Sequence, residues 1–460
     1  MYKRNRYTFG LGTIGRDMVY SMISMYLLFY LTDVIRLDTK IFWAITIIIL
    51  AARVFDALND PFMGLIVDNT KTRFGKFKPW IFLGALFSGV FTILLFSDFK
   101  LEGGMFIFVF AVFYLLWGIS FTANDISYWS MLPALSLDQK EREKIGSFAR
   151  ICANVGLFFV VAGILPITKA IEVGLDKTNP GVNNAPKSYF LFTCLLVLIM
   201  WIGQMITLLG VKEPKNKIGE DKHTSIKELI GTLIKNDQLL FTAISMALFM
   251  IGYCTTTGFG LYYFKYAYGN ESVYTTFAVV LGVSQITALI IFPFVSKKMK
   301  RKQMYLLATI LVVLGYLVFF FAPTSTFLFI AIAGILIFVG QAFIQLLMLM
   351  FLADSVEYGH WKSGKRNESI TFSVQPFINK MGGAISSGII SVVLIVSGIK
   401  EANTAVEVTS EGLLLMKFAM LVFPLICIVI GFIIYRTKYK IDEKMYKNII
   451  KDLKERGEII

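Results

Sequence analysis

The chain has 460 residues, of which 56% are hydrophobic, 15% aromatic and only 17% charged. This composition excludes a disordered chain, a collagen-like repeat and a disulfide scaffold, and it is too apolar for a soluble protein of this length. The formal net charge of +14 would suit a nucleic-acid partner, but the basic residues lie mainly in short segments between apolar stretches. The chain is therefore expected to be a polytopic membrane protein that contacts anionic lipid headgroups and binds no nucleic acid.

Apolar stretches long enough to cross a bilayer recur along the whole chain. They predict an all-α membrane protein with twelve transmembrane helices. The windows lie at about 13–35, 41–67, 79–97, 104–131, 145–169, 188–210, 238–266, 272–295, 303–322, 326–353, 370–398 and 411–435.

The distribution of charge predicts orientation and domain organisation. Most of the 45 Lys and Arg residues lie in the terminal segments and in the loops after even-numbered windows, so both termini are expected to be cytoplasmic. The longest basic connection divides the windows into two six-helix halves, which is typical of secondary transporters. The predicted domains are an N-terminal bundle (1–210), a cytoplasmic linker (211–237), a C-terminal bundle (238–435) and a tail (436–460).

The tail carries Ile441, Met445, Ile449 and Leu453 at helical spacing among charged residues. This pattern fits an amphipathic helix on the inner membrane surface. A solubilising tail is the alternative.

Enzyme chemistry has little support in the sequence. The four cysteines fall in apolar stretches, the two histidines have no metal-ligand spacing, and there is no phosphate-binding glycine loop. We expect neither an enzyme nor a bound cofactor. A transporter remains, either coupled to an ion or acting as a facilitator or exporter of amphipathic compounds.

The second window contains a cluster of oxygen ligands. Asp56 and Asp60 are four residues apart, on one face of a helix, with Asn59 beside them. A charge in mid-membrane costs about 2.5–3.5 kcal/mol on insertion scales, so such residues usually have a function. The cluster could hold a small cation or carry a proton. Pairing with Arg53 and other basic residues, for structure alone, is equally compatible with the spacing.

The fourth window carries Thr122, Asp125 and Trp129 on one stripe. Together with Asp17 and Arg150 from two other windows, they provide the carboxylates, guanidinium and aromatic face that grip a sugar. The alternatives are a structural salt bridge between Asp125 and Arg150 and an interfacial belt position for Trp129.

Two further segments contain charged residues that could have a function. Asp68, Arg73 and Lys76 follow the second window, where an acid and several bases suggest a cytoplasmic gate, or else a solvated loop that only sets orientation. In the eleventh window, Gln375 and Lys380 precede a pair of glycines. Lys380 would be a buried positive charge that neutralises the acid cluster when no cation is bound. The alternative is that Lys380 serves charge balance alone.

Several blocks of sequence together resemble the glycoside–pentoside–hexuronide:cation symporters of the major facilitator superfamily, typified by melibiose permease and the lactose transporters. The resemblance covers nearly the whole chain. The blocks are Gly15–Asp17, Ala52–Pro61, Arg73–Trp80, Asp125–Trp129, Asp138–Glu143, Tyr262–Phe264, Asp354–Gly359, Arg366–Ser369 and Lys380.

The resemblance implies a major facilitator fold and a set of functional residues. The cation site would be formed by Asp56, Asn59, Asp60 and Thr122, with Na⁺ favoured and H⁺ or Li⁺ possible. The sugar site would include Arg16, Asp17, Asp125, Trp129, Arg150, Gln375 and Lys380, with Phe121, Gln345 and Pro376 in place of a tyrosine, a tryptophan and a threonine. Gating residues are expected at Asp68, Arg73, Lys76, Asp354, Glu357, Lys362, Arg366 and Glu368.

The resulting hypothesis is a cation-coupled sugar symporter of the bacterial cytoplasmic membrane that works by alternating access. Its expected partners are a galactoside or pentoside, the coupling cation and the lipid bilayer, and it would function as a monomer. Lys365 occupies the position of a histidine in lactose transporters, so a proton relay of that type is not expected. A hexuronide substrate, attracted by Arg16, Arg150 and Lys380, and proton coupling are the alternatives.

Overall fold

The computed structural model describes residues 2–27, 30–178, 183–212, 235–270, 273–323, 326–399 and 408–459. Within these ranges the regular structure is helical throughout. Most of the predicted linker, 211–237, lies outside the described residues.

The first part of the chain forms long helices that enclose the predicted windows. Asp38 caps α2 by accepting a hydrogen bond from the backbone N–H of Lys40. Proline occupies the first turn of both α3 and α6, where its missing N–H costs nothing. The helices are α1 (Tyr2–Ser21), α2 (Thr39–Asp68), α3 (Lys78–Leu95), α4 (Gly103–Leu135), α5 (Gln139–Thr178) and α6 (Ala185–Gly210).

The second part repeats this organisation and ends with the tail helix. The helices are α7 (Asp237–Tyr262), α8 (Val273–Lys298), α9 (Arg301–Phe321), α10 (Phe327–Ser363), α11 (Glu368–Val396), α12 (Ser410–Lys438) and α13 (Glu443–Glu455). Helix α7 continues into a π-helical turn at Tyr263–Ala267, as α1 does at Met22–Tyr26.

Ten of the described helices, α3 to α12, are long and apolar enough to cross a membrane. Large apolar side chains on their outer faces are exposed, among them Phe108, Leu209 and Phe321. Such side chains are stable in contact with lipid rather than water. The prediction of an all-α membrane protein is confirmed.

The chain divides into two compact units. In the first unit, α4 packs against α2 and α3, and α1 packs against α5 and α6. In the second unit, α10 packs against α8 and α9, and α7 packs against α12. The first unit also includes Glu368–Ser373, the start of α11, which the predicted domain limits place in the C-terminal bundle.

The tail contains the predicted helix. It forms as expected, but Tyr446, Ile449 and Leu453 are buried and the helix packs against α10. Its apolar face is therefore covered by the protein. Placement of this helix on the inner membrane surface, and the alternative of a solubilising tail, both stay predictions.

Candidate functional site

A buried arginine joins α1 to α4 in the first unit. Arg16 Nη1 lies 2.8 Å from Asp125 Oδ1, and Arg16 Nη2 lies 3.0 Å from Asp17 Oδ2. The Arg16 side chain is 4% exposed, whereas those of Asp17 and Asp125 are 23% and 22% exposed. Arg16 thus holds both carboxylates in place from the buried side and leaves part of each accessible to a ligand.

Trp129 contacts two guanidinium groups. Arg150 Cζ is 4.3 Å from the centroid of the Trp129 ring, and Arg16 Cζ is 5.2 Å from it. Trp129 is buried, so an interfacial belt position does not describe it. The Nε of Arg150 is buried and has no hydrogen-bond partner among the described residues, which leaves a donor for a ligand.

These residues form a charge-balanced set. Arg16 and Arg150 contribute two positive charges, and Asp17 and Asp125 contribute two negative charges. The set offers carboxylate acceptors, a guanidinium donor and an aromatic ring, which together suit a polyhydroxylated ring with no net charge. We call Arg16, Asp17, Asp125, Trp129 and Arg150 the α1–α4–α5 cluster.

Tyr128 contacts the cluster, and Phe121 stacks on other aromatic rings of the first unit. Tyr128 donates a hydrogen bond to the backbone oxygen of Phe9, and Arg16 Cζ lies 5.1 Å from its ring centroid. Phe121 stacks on Tyr20 with ring centroids 5.2 Å apart, and on Trp117 at 5.5 Å. Phe121 therefore belongs to an aromatic stack in the first unit.

The predicted cation ligands lie where α2 meets α4. Thr122 Oγ1 donates a weak hydrogen bond to Asp60 Oδ1 at 3.4 Å, and Asp56, Asp60 and Thr122 are all buried. The Nδ2 of Asn59 is buried with no hydrogen-bond partner in the described part of the chain. The side chains of Asp56, Asn59, Asp60 and Thr122 supply hard oxygen atoms of the kind that bind Na⁺.

Gly118 makes room for this group. A Cβ atom at Gly118 would lie 2.8 Å from Asp56 Oδ1, which is closer than a real Cβ can approach. The glycine thus allows α4 to pass against the Asp56 carboxylate. The sequence interpretation missed it, although it precedes Thr122 by one helical turn and faces the same side.

Within the described ranges, no group of three or more His, Cys, Asp or Glu side chains could hold a metal ion. Arg53, the basic residue nearest in sequence, lies close to Tyr114. Cation binding and structural pairing of the α2 acids both stay open as predictions.

One turn of α4 serves both predicted sites. Thr122 contacts Asp60 of α2, and Asp125, three residues later, pairs with Arg16 of α1. A small displacement of this turn would change the contacts of both the Asp60 and the Asp125 carboxylate. The arrangement can therefore couple the binding of a cation to the binding of a second ligand.

The segment after α2 forms a buried ionic cluster with the start of α11. Asp68 accepts hydrogen bonds from the backbone N–H groups of Ser369 and Ile370, at 3.1 and 2.9 Å. Lys76 Nζ lies 3.2 Å from Asp68 Oδ1 and also pairs with Glu368. Asp68 satisfies N–H groups that have no partner within the first turn of α11.

Arg73 does not share in this cluster. Its Cζ lies 4.7 Å from the ring centroid of its neighbour Phe74. Asp68 and Lys76 are ion-paired, whereas Arg73 lies on an exposed aromatic ring. The gating role of these three residues stays a prediction.

The remaining predicted gating residues form ion pairs in the second unit. Arg366 Nη2 lies 3.1 Å from Glu357 Oε1, and Lys362 Nζ lies 2.6 Å from Asp237 Oδ1. Asp354 pairs with Arg301. The sequence interpretation did not single out Asp237 or Arg301, because charges in short loops are usually solvated.

The predicted sugar residues of the second unit are polar and partly buried. Gln345 forms a side-chain hydrogen bond with Tyr253. Gln375, Pro376 and Lys380 lie on α11 with intermediate exposure. Their role in binding stays a prediction.

Arg142 was also missed. It is completely buried and donates hydrogen bonds to the backbone oxygens of Ser136 at 3.0 Å and Pro133 at 3.4 Å. Arg142 thereby joins the start of α5 to the end of α4. It lies in the block Asp138–Glu143, whose resemblance to the symporter family implied no role for this residue.

Comparison with known sequences identifies relatives that are named as sugar transport proteins. The family model described as MFS/sugar transport protein matches residues 8–443. The lactose permease of Lactobacillus delbrueckii subsp. bulgaricus is 32% identical over 457 residues, covering 98% of this chain and 72% of that protein. The raffinose carrier protein of Pediococcus pentosaceus is 31% identical over 460 residues, covering 97% and 71%. The isoprimeverose transporter of Lactiplantibacillus pentosus is 25% identical over 399 residues, covering 85% and 80%.

Solved structures share the fold. The fucose:proton symporter of E. coli aligns with a TM-score of 0.68 at 13% identity, over 96% of this chain and 98% of that one. A bacterial homologue of the iron transporter ferroportin aligns with a TM-score of 0.66 at 12% identity, over 94% and 98%. The predicted major facilitator fold is confirmed.

Proposed function

Because this chain belongs to the MFS/sugar transport protein family, we propose that it is a symporter that imports a glycoside together with a cation. It is a multi-pass protein of the bacterial plasma membrane, and its relatives are transporters rather than enzymes. The observation that carries the proposal is the α1–α4–α5 cluster, where Arg16 holds Asp17 and Asp125 beside Trp129.

We propose twelve membrane spans with both termini in the cytoplasm. Helix α1 with the π-helical turn that follows it, and helix α2, add two spans to the ten apolar helices α3 to α12. The concentration of Lys and Arg in the termini and in the loops after even-numbered spans supports this orientation. The transporter would act as a monomer.

The proposed substrate is an uncharged glycoside with galactosyl or pentosyl units. The charge-balanced cluster supports an uncharged substrate, because a hexuronate would add a negative charge beside Asp17 and Asp125 without a new cation in the cluster. The relatives named as a lactose permease, a raffinose carrier and an isoprimeverose transporter support the sugar class.

The proposed coupling ion is Na⁺, bound by Asp56, Asn59, Asp60 and Thr122. Their oxygen chemistry supports a hard cation, and Li⁺ would fit the same ligands. Proton coupling is the second candidate, since the Asp60 side chain is completely buried and a buried carboxylate can carry a proton.

The proposed cycle couples the two ligands through α4. A cation near Asp60 would fix the turn from Thr122 to Asp125, and this would orient the carboxylates that accept hydroxyl groups of the sugar. Each ligand then raises the affinity for the other. One positive charge carried inward gains about 2.3 kcal/mol per 100 mV of membrane potential. The cluster of Asp68, Lys76 and Glu368 would open and close in each cycle.

Uptake into proteoliposomes tests the proposal. Purified protein is offered labelled lactose, raffinose, isoprimeverose and a glucuronide, under an inward gradient of Na⁺, Li⁺ or H⁺ in turn. We expect at least one neutral glycoside to accumulate above protein-free liposomes only when its coupling gradient is present. Failure of every sugar to enter, or entry that no gradient changes, would contradict the proposal.

A further inference from the structure

The tail helix α13 is fixed to the second unit by its apolar face. Tyr446, Ile449 and Leu453 are buried, whereas Lys447 and Lys451 on the opposite side are exposed. The helix packs against α10. Burial of these three large side chains stabilises the helix in this position.

Polar contacts direct this helix to the end of α10. Trp361 Nε1 donates a hydrogen bond to Asp452 Oδ2 at 3.1 Å, and His360 Nε2 lies 3.0 Å from Glu458 Oε2. Arg456 Nη1 donates to the backbone oxygen of Trp361 at 3.2 Å. The contacts all involve two consecutive residues in the last turns of α10.

The same turns also bear ion pairs. Lys362 Nζ and Tyr358 Oη approach Asp237 Oδ1 at 2.6 and 2.9 Å. Glu357 pairs with Arg366 at 3.1 Å, and both side chains are 1% exposed. The position of the last turns of α10 therefore determines whether a buried ion pair is intact.

The connection from α10 to α11 is short. Helix α10 ends at Gly364, whose φ of 69° lets the chain reverse out of the helix, and α11 begins at Glu368. Glu368 pairs with Lys76, and the next two backbone N–H groups bind Asp68. A displacement of the end of α10 would therefore be transmitted to Glu368 within a few residues.

We infer that α13 is a strap that positions the junction between α10 and α11 and so controls how readily the cluster of Asp68, Lys76 and Glu368 opens. The consequence for gating depends on the proposed transport function. The positioning of the junction does not depend on it. Asp452 and Glu458 are positioning residues, because they act through Trp361 and His360 on groups further along the chain.

Hydrogen exchange measured by mass spectrometry on the full-length protein in lipid nanodiscs tests the strap. The variant is D452A/E458A, which removes the acceptor of the Trp361 N–H and the carboxylate beside His360 but retains the apolar face of α13. K447A, on the exposed face of the same helix, is the matched control. We expect exchange in residues 364–373 to rise by roughly tenfold in the variant, since loss of the Trp361–Asp452 hydrogen bond and of the His360–Glu458 contact favours local opening. K447A should match the wild type.

Two results would overturn the inference. Faster exchange in α13 with no change in 364–373 would show that the tail binds α10 without positioning the junction. A uniform rise over all helices of the second unit would show a general loss of stability.

The milder D452N, which keeps the shape of the side chain, should give a smaller rise in exchange, and only in residues 364–373. Because no sugar or gradient is used, failure here is distinct from failure of the proposed transport function.

Discussion

The interiors of the two units use different chemistry. In the first unit, Arg16 pairs with Asp125 across α1 and α4, and buried Asp56 and Asp60 lie on α2. In the second unit, the buried ion pairs Arg301–Asp354 and Glu357–Arg366 lie near the ends of α9 and α10, and the other described interior contacts are mostly hydrogen bonds between neutral groups. They include Thr256 with Tyr316 at 2.6 Å, Ser245 with Tyr305 at 3.2 Å and Thr255 with Ser386 at 3.1 Å.

The difference separates ligand chemistry from helix packing. Neutral hydroxyl pairs satisfy one another and leave little for a ligand to gain. Buried charges are costly, and membrane proteins generally retain them for function. We conclude that the first unit supplies most of the proposed binding chemistry. Lys380 of α11 is the main charged candidate in the second unit.

The largest effect is expected for Asp125→Asn. Arg16 would lose a charged partner in a buried site, and removing one partner of a buried pair typically costs about 3–5 kcal/mol. Sugar uptake in proteoliposomes should fall by about 100-fold or more. Nearly intact uptake would favour a facilitator in which the charges serve only packing, and it would remove the distinction between the two units.

Arg150→Lys should have the next largest effect. A lysine keeps the charge but loses the planar group that lies 4.3 Å from the Trp129 ring. We expect sugar affinity, measured by isothermal titration calorimetry, to fall about tenfold. The same exchange at Arg436, which is exposed at the end of α12, is the control and should leave affinity unchanged. Equal effects at both positions would contradict a specific role for Arg150.

Gly118→Ala separates the cation ligands from the sugar ligands. The added Cβ would displace the Asp56 carboxylate, so the Na⁺ concentration for half-maximal sugar binding should rise by roughly threefold to tenfold. Gly104→Ala is a matched control on the same helix, since a Cβ there has no atom within 4 Å. An unchanged Na⁺ requirement in Gly118→Ala would indicate that the Asp56 carboxylate does not contribute to a cation site.

The smallest effect on transport is expected in the second unit. Thr256→Val removes the hydroxyl that bonds Tyr316 and the backbone oxygen of Met420. This should lower stability by about 1–2 kcal/mol, seen as a lower Tm in a thermal unfolding assay. Sugar affinity should stay at the wild-type value. A large loss of affinity would extend the binding chemistry into the neutral interior and weaken the comparison.

Much of the fold could be predicted from hydropathy alone, because a span must be apolar and helical. The residues at which the helices begin and end could not be predicted in this way. Helix α5 begins at Gln139, before the predicted window at 145, since Lys140 and Glu141 make its first turn polar without breaking it. The burial of the tail was also missed, because an apolar face shows the need for a partner but not which partner.

The sequence predicted the charged residues of the candidate site but not the contacts between them. Spacing placed Asp125 and Trp129 on one face, but the pairing of Arg16 with Asp125 depends on how α1 packs against α4. Gly118 and Arg142 are defined by close approach and by carbonyl oxygens at a helix end, and neither leaves a periodic signal in the sequence.

The central claim is that a cation held by the α2 acids raises the affinity for sugar at the α1–α4–α5 cluster. The most direct test is equilibrium binding of a labelled galactoside to purified protein, titrated with Na⁺, in the wild type, in Asp60→Asn and in Thr256→Val. We predict that Na⁺ raises affinity in the wild type and in Thr256→Val, and that Asp60→Asn abolishes this dependence. Sugar binding that is independent of Na⁺ in the wild type and intact in Asp60→Asn would contradict the account.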